Sequence, residues 1–252
     1  MVTANRKALM KRSITCFNLQ TYPDKELVIV DDGIQDLSEA LEMIPEEQLT
    51  YVKLRQSEDN TLGKLRNVSL EHAKGDFLIQ WDDDDWYHPD RIQIQAECLL
   101  DGNDACCLSS ALMHLDTPQY MHHPYIGRLP EGIPGSIMHR NDPSITYPHT
   151  RRAEDTVFLK KWMEKKYTRL PDTYAYLFIR CYHGKNTWEQ KHFMRRIRNS
   201  PLKQIQYWWY KYIKNDLFNL PVFRLSDRAR EAFNMYLEHS RRLGLLNPDK
   251  NL

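Results

Sequence analysis

The chain has 252 residues, 41% of them apolar, and a formal net charge of +1, so it is long enough to bury a sizeable core and carries no global field that would draw it to nucleic acid. No apolar run approaches the roughly 20 residues that span a bilayer, and no signal peptide is expected at the amino end. The five cysteines (Cys16, Cys98, Cys106, Cys107 and Cys181) form no Cys-x-x-Cys pair, and four fall in apolar stretches, which predicts reduced structural thiols and a cytoplasmic protein.

In chain order, Met1 to Arg6 reads as the tail of a strand entering a helix. Only two residues of that strand are present. Either it is very short or the reading frame begins upstream, in which case stability and ligand affinity would suffer. Leu9, Ile14 and Phe17 give helical spacing from Lys7 to about Gln20, ended by Tyr22-Pro23-Asp24. Glu26 to Val30 is a buried strand running into Asp31-Asp32-Gly33, followed by a helix at about Asp36 to Met43. Tyr51 to Leu54 is a strand, Thr61 to His72 leads through a helix, and Phe77 to Trp81 is again a strand. A helix from about Pro89 to Leu100 stops at Asp101-Gly102-Asn103, and Ala105 to Met113 is expected to be one apolar strand. This alternation specifies an α/β fold with a mostly parallel sheet and flanking helices. From Leu115 to Arg152, proline, glycine, histidine and tyrosine are frequent and a binding loop or antiparallel ribbon is expected; a helix at Glu154 to Lys165 and a strand at Tyr174 to Tyr182 follow.

Trp81-Asp82-Asp83-Asp84-Asp85-Trp86 follows directly on the apolar Phe77-Leu78-Ile79. Four consecutive carboxylates raise one another's pKa unless a cation offsets them. Ligands of open parallel sheets bind at the carboxyl ends of strands. The cluster therefore reads as a metal site at the mouth of the sheet, with a solvated acidic loop as the alternative.

Several motifs, in order over residues 1 to 188, together resemble the family 2 glycosyltransferases of GT-A (Rossmann-like) fold. Thr3-Ala4-Asn5-Arg6 is similar to the first-strand signature, with Ala4 where a tyrosine is usual; Leu27 to Gly33 is similar to the strand ending in Asp-Asp-Gly-Ser. Gly63-Lys64-Leu65-Arg66-Asn67, closed by Ala73 to Asp76, the acidic stretch Phe77 to Asp85, and Arg152-Ala153-Glu154-Asp155 resemble further family motifs. The resemblance implies a metal-dependent inverting enzyme that moves a sugar from a nucleotide-diphosphate donor (UDP or GDP type) to a hydroxyl of a glycan or lipid-linked acceptor, as in polysaccharide biosynthesis. Residues 1 to about 114 would form the donor-binding half, 115 to 188 the acceptor-side half, and 189 to 252 a helical extension.

Under that resemblance Thr3, Ala4, Asn5, Arg6, Asp31 and Asp32 would line the nucleotide pocket, with Asp31 the better candidate for reading the base. Lys64 and Arg66 would hold sugar or diphosphate near a helix start, and Asn67 is either part of that or an interior hydrogen-bonding residue. Mn²⁺ or Mg²⁺ keeps several waters and takes only one or two carboxylates, so not all four aspartates would be ligands; the spacing to Pro89-Asp90-Arg91 favours Asp84, with Asp83 near the ribose or the metal's waters and Asp82 or Asp85 toward sugar hydroxyls. Asp155 would be the general base and Glu154 an orienting residue, although either could cap the helix. His183, in Arg180 to Trp188 with Asn186 following, would ligate the metal or bond the diphosphate, or merely anchor a loop. A sugar-phosphate nucleotidyltransferase is the enzymatic alternative, although Thr3 to Lys11 lacks the glycine-rich loop it requires; a non-catalytic nucleotide-sugar-binding homologue is the other.

From Lys191 to Lys214 there are seven Lys or Arg, no Asp or Glu, and an embedded Tyr207-Trp208-Trp209-Tyr210. That composition suits peripheral contact with the inner face of a membrane; the alternative is a helix packed onto the domain through Tyr207, Trp208 and Tyr212, with the basic groups in water. Pro201 interrupts the segment, and a last amphipathic helix is expected at about Asp227 to Leu243.

Overall fold

The structure, a computed structural model, describes residues 1–184, 190–198 (without the side chain of residue 192) and 200–246. The elements are β1 (Val2–Thr3), α1 (Lys7–Asn18), β2 (Leu27–Asp31), α2 (Ser38–Leu41), β3 (Leu49–Lys53), α3 (Leu62–His72), β4 (Phe77–Ile79), β5 (Trp86–Tyr87) and α4 (Arg91–Leu100). They continue with β6 (Ala105–Leu108), β7 (Ser110–Leu115), β8 (Tyr125–Arg128), β9 (Met138–Arg140), α5 (Glu154–Met163), β10 (Tyr167–Leu170) and β11 (Phe178–Tyr182). Three helices complete the chain: α6 (Gln190–Arg195), α7 (Pro201–Trp208) and α8 (Asp227–Arg242).

The α/β alternation is as expected. Strands β1, β2 and β3 form a parallel sheet in the order β1-β2-β3, with Val2 opposite Val30 and Leu27 opposite Leu49. All five residues of β2 are buried, as a central parallel strand requires. The parallel pattern returns in the pairs β6–β10 and β7–β11, and gives way to antiparallel pairing at β9, β5 and β8. The ribbon expected between Leu115 and Arg152 supplies β8 and β9, and β9 inserts between β6 and β4.

Four boundaries differ from the expectation. The single strand at Ala105 to Met113 is two: β6 joins β4 and β9, whereas β7 joins β5, β8 and β11. The chain changes sheets at Ser109, whose N–H donates to Leu170 and whose carbonyl accepts from Leu129. Both halves are buried throughout, so hydropathy alone runs them together. The helix after Gly33 shrinks to the single turn α2. The strand expected from Tyr174 starts only at Phe178, because Asp172–Leu177 forms a 3-10 helix after Pro171. The basic segment is not one helix: Ser200 caps α7 with Pro201 in its first turn, and a π-helical stretch, Trp209–Ile213, ends it.

The main core joins α1, β2, α4, β5, β6 and β11 to α8, which contributes Ala229, Ala232, Phe233, Tyr236 and Leu237. A second cluster packs Phe193, Ile197, Tyr207, Leu217, Leu220 and Val222 against Met113, Leu115 and Tyr125. A third sets Phe158, Leu159 and Trp162 of α5 on Ala105, Cys107 and Tyr147. His139 is buried there on β9 with Phe158 and Trp162 against its ring, and burial pushes its pKa down to about 4. It belongs to the core, not to an acceptor loop.

One glycine fixes the approach of α3 to the loop before α5. A Cβ on Gly63 would lie 1.8 Å from the Pro148 carbonyl oxygen, and the Gly63 N–H donates to Thr150 at 3.1 Å. Gly63→Ala is therefore expected to lower unfolding stability by about 1–3 kcal/mol, measurable by chemical denaturation; an unchanged midpoint would refute the close approach.

Candidate active site

The acidic run leaves the end of β4 and turns into β5, so its four carboxylates fan out at the mouth of the sheet. Asp83 and Asp85 are buried; Asp82 and Asp84 are partly buried. Together with Arg6, Arg66, Arg180, Glu154 and Asp155 they line a cavity of about 130 Å³.

Cations hold this loop from every side. Arg6 Nη1 lies 3.2 Å from both Asp83 Oδ1 and Asp84 Oδ2, and Thr3 Oγ1 donates to Asp83 Oδ2 at 2.7 Å. Arg66 Nη2 donates to Asp82 Oδ1 at 2.9 Å, and its Nε lies 3.6 Å from Glu154. Arg12, buried in α1, donates to the Asp84 carbonyl at 2.6 Å and to Ser240 Oγ of α8 at 3.1 Å. Arg91 donates to the Gln80 carbonyl at 3.1 Å while its guanidinium lies 4.4 Å from the Tyr87 ring centre and 5.2 Å from that of Phe178. The Tyr87 hydroxyl accepts from the Asp82 N–H at 2.6 Å. The loop's backbone is thus fixed from behind and its carboxylates are presented to the cavity.

The titration pattern follows from crowding. Burial, then the charge of Asp84, push Asp83 up to about 7, against the pull of Arg6. Burial and Asp84 likewise push Asp85 up to about 8, although it accepts the Cys181 N–H at 3.1 Å. Burial would raise Asp84 too, but the hydrogen bond with His183 and the charges of Arg6 and Arg180 hold it below the ordinary carboxylate value. Asp84 Oδ2 and His183 Nε2 are 3.5 Å apart. A carboxylate and an imidazole facing one another, beside two acids raised by burial and by like charge, are donor types that fit a divalent cation. Among the described residues no cluster of three or more His, Cys, Asp or Glu is arranged to hold a metal.

Asp155 is partly exposed in the first turn of α5, and its Oδ1 accepts from the Thr156 N–H at 2.7 Å. No side chain caps this helix; Ala153 enters it in a left-handed conformation, φ 60°. Burial raises the Glu154 pKa, and Arg66 offsets part of that.

The other expected residues are placed as follows. Ala4 and Asn5 are exposed, and Asn5 Oδ1 accepts the N–H groups of Ile34 and Gln35, which ties the end of β1 to the turn after β2. Asp31 is fully buried, with its oxygens taking the Gly33 N–H at 2.8 Å, the Tyr51 hydroxyl at 2.8 Å and Lys53 Nζ at 2.7 Å. Asp32 faces Asn60 at 3.4 Å. Lys64 is exposed and stands apart from the acid-lined cavity. Asn67 exchanges hydrogen bonds with the Tyr147 backbone at 2.9 and 2.8 Å, as an interior residue does. The stretch Lys185 to Trp188, including Asn186, lies outside the described residues.

Sequence reasoning missed Arg180, Arg12 and Arg91. Arg180 lies on β11 in the cavity wall, where Asp85, Asp155, Asp82 and Asp84 outweigh its burial and keep it charged. An arginine inside an otherwise apolar strand was the available signal.

Two solved structures share the fold. S. aureus TarS (residues 1–349), in complex with UDP, superposes with a TM-score of 0.51 at 16% identity, over 99% of this chain and 80% of that one. The mannosyltransferase PcManGT from Pyrobaculum calidifontis, in complex with GDP-Man and Mn²⁺, gives 0.54 at 18% identity, over 97% and 71%. Among curated proteins, the putative glycosyltransferase EpsH of Bacillus subtilis is 27% identical over 117 residues, 46% of this chain and 34% of EpsH. The putative colanic acid biosynthesis glycosyl transferase WcaA of Escherichia coli is 27% identical over 141 residues, 51% of this chain and 50% of WcaA. The chain thus spans half or less of these relatives' lengths. The sequence profile described as "Glycosyl transferase family 2" matches residues 1–226, from before β1 through the acidic loop to the threshold of α8. With so much of the sequence matched and the GT-A fold present, the chain belongs to glycosyl transferase family 2.

Proposed function

We propose that this protein transfers a sugar from a nucleotide-diphosphate donor to a hydroxyl of a glycan or lipid-linked acceptor, with inversion at the anomeric carbon. The observation that carries the reading is one cavity that brings together Asp83 and Asp84, Arg6, Arg66 and Arg180, and the Glu154–Asp155 pair. TarS with UDP and PcManGT with GDP-Man support a donor of this class, and WcaA supports a polysaccharide product.

In this reading Arg6, Arg66 and Arg180 receive the diphosphate. Arg66 Nη1 is buried with no hydrogen-bond partner among the described residues, a donor available to a phosphate oxygen. Asp84 and His183 would hold Mn²⁺ or Mg²⁺, which supplies charge stabilisation to the departing nucleotide when bound. Thr3 fixes Asp83 for the ribose, and Asp31, Asp32, Ala4 and Asn5 form the nucleotide side of the pocket. Asp82 and Asp85 sit toward donor or acceptor hydroxyls, and Lys64 reaches the donor only if the ligand extends past the cavity. Asp155 takes the acceptor proton as its oxygen attacks the anomeric carbon, and Arg66 holds Glu154 in place beside it.

Asp155→Asn should cut turnover by about 10²–10⁴-fold while donor affinity, followed by calorimetry, stays within twofold; unaltered turnover would remove it as the base. Asp84→Ala should abolish the Mn²⁺-dependent part of UDP- or GDP-sugar binding in the same titration. Equal metal-dependent binding in wild type and variant would move the cation elsewhere.

A second surface bears on the acceptor. No described helix is long and apolar enough to cross a membrane, but α7 and the π-helical turn expose Leu202, Ile205, Trp208, Trp209, Tyr212 and Ile213 on the outside of the molecule. Tyr207 alone of the aromatic quartet is fully buried; Trp208 and Tyr212, expected to pack inward if the segment served the core, are 58% and 57% exposed. Exposed tryptophans in a basic, acid-free segment suit the interface of an anionic bilayer at the cytoplasmic face, and the five free cysteines suit that compartment. Replacing Trp208 and Trp209 together by Ser should weaken cosedimentation with phosphatidylglycerol vesicles by about tenfold or more, with the fold intact by circular dichroism. Undiminished cosedimentation would overturn membrane docking through this face.

A further inference from the structure

Two arginines beside the acidic cavity make no hydrogen bond and no ion pair among the described residues. Arg180 of β11 lines the cavity, and Arg196 opens the 3-10 turn Arg196–Arg198 that follows α6. The sheet β5-β11-β7-β8 carries both. Arg180 is in register with Met113, and Met113 with Tyr125. The Tyr125 hydroxyl donates to the Phe193 carbonyl at 2.7 Å, and Phe193 and Ile197 are buried against Met113, Leu115 and Tyr125. A Cβ on Gly127 would lie 3.8 Å from the Arg196 Cβ, which places the turn directly over β8. Just before Arg196, the Phe193 ring lines the cavity, with its centre 5.8 Å from the Arg180 guanidinium.

The two differ in what surrounds them. Asp85, Asp155, Asp82 and Asp84 outweigh the burial of Arg180. At Arg196, burial and the charges of Arg180 and Arg195 prevail over Tyr125 and Asp155, and its pKa falls below the ordinary arginine value. A guanidinium keeps its proton even so. The fold therefore carries a half-buried cation with a like charge beside it and no bonded counterion among the described residues, and an anion would lower that cost. Arg6, Arg66 and Arg180 already provide for the donor diphosphate, and Arg196 is not in the wall of that cavity. Asp155 acts electrostatically on both Arg180 and Arg196, which sets the pair on the side of the proposed base.

We propose, on the reading of Asp155 as the base, that Arg196 together with Arg180 binds a phosphoryl group carried by the acceptor near its reacting hydroxyl. A single guanidinium fork matches a carboxylate, whereas two side by side suit the higher charge and additional oxygens of a phosphoryl group. Arg180, with its five N–H groups, would serve the donor and acceptor phosphates at once. The turn that carries Arg196 leads into α7 and the exposed Trp208 and Trp209. A phosphate on an amphiphile could therefore occupy Arg196 while its apolar part follows that surface. The phosphate ester of a lipid and that of a polyol chain share this chemistry.

The test titrates glycerol 1-phosphate and decyl phosphate into the protein by calorimetry, with glucuronate and glycerol as controls, in the presence of Mn²⁺ and of UDP or GDP. Arg196→Gln should weaken both phosphate probes by about tenfold or more, with nucleotide binding unchanged and Tm not lowered, since a repelled charge is removed. Arg196→Lys, which keeps the charge but loses the fork, should fall between wild type and the Gln variant. Equal phosphate binding by wild type and Arg196→Gln would overturn the proposal, as would preference for glucuronate. Equal losses in the Gln and Lys variants, with Tm lowered in both, would assign Arg196 to the core and overturn it too. Decyl phosphate binding about tenfold or more tighter than glycerol 1-phosphate assigns the phosphoryl group to a lipid; equal affinity assigns it to a polyol phosphate. If neither nucleotide binds, the donor reading fails, while the phosphate titrations without nucleotide still decide the role of Arg196.

Discussion

Four adjacent carboxylates can be packed at the end of a strand only if their mutual repulsion and lost hydration are offset within a few ångströms, and here five guanidinium groups do so. Arg6, Arg66 and Arg180 meet the carboxylates from the cavity side. Arg12 and Arg91 work behind the loop, donating to the carbonyls of Asp84 and Gln80. The division has a physical logic. A carboxylate engaged by a cation from behind would be turned away from a ligand, whereas a carbonyl engaged there leaves its side chain directed forward. Buried arginines carry their own desolvation cost, and the aromatic rings of Trp81, Tyr87 and Phe178 around Arg91, and Tyr236 beside Arg12, reduce it through cation–π contact.

This arrangement leaves the loop short of positive charge rather than balanced. Asp83 and Asp85 are held well above the usual carboxylate range although three arginines face them. A site in that condition favours any ligand that brings net positive charge to the acids and negative charge to the arginines at once. A divalent ion on a diphosphate does both, and neither partner alone does.

Local motifs made much of this legible in the sequence. The acidic run after Phe77-Leu78-Ile79, the Asp-Asp-Gly after β2 and the Glu-Asp opening α5 each combine a strand or helix end with polar residues, and a strand end is where a sheet presents ligand-binding groups. What stayed hidden depends on contacts between distant segments. Nothing local distinguishes Arg12 or Arg91 from a surface arginine, and Arg180 is marked only by its place in an otherwise apolar strand. Asp31 reads locally as a carboxylate at a strand end, and its bonds to Tyr51 and Lys53, one strand away, are visible only in the fold. The switch of sheets at Ser109 escaped notice because both flanking strands are fully buried and no glycine or proline marks the change.

The involvement of α8 has a consequence for biosynthesis. Arg12, in the first helix, is joined to Ser240 and Tyr236 in the last, and Trp86, next to the final aspartate of the run, donates to His239 Nδ1 at 3.2 Å. These partners are 228 and 153 residues apart in the chain. On the ribosome the strands and the acidic loop emerge long before the helix that completes their support. Nascent chains therefore carry an acidic loop whose rear brace is unfinished until α8 has emerged, although most of the site's residues are made earlier.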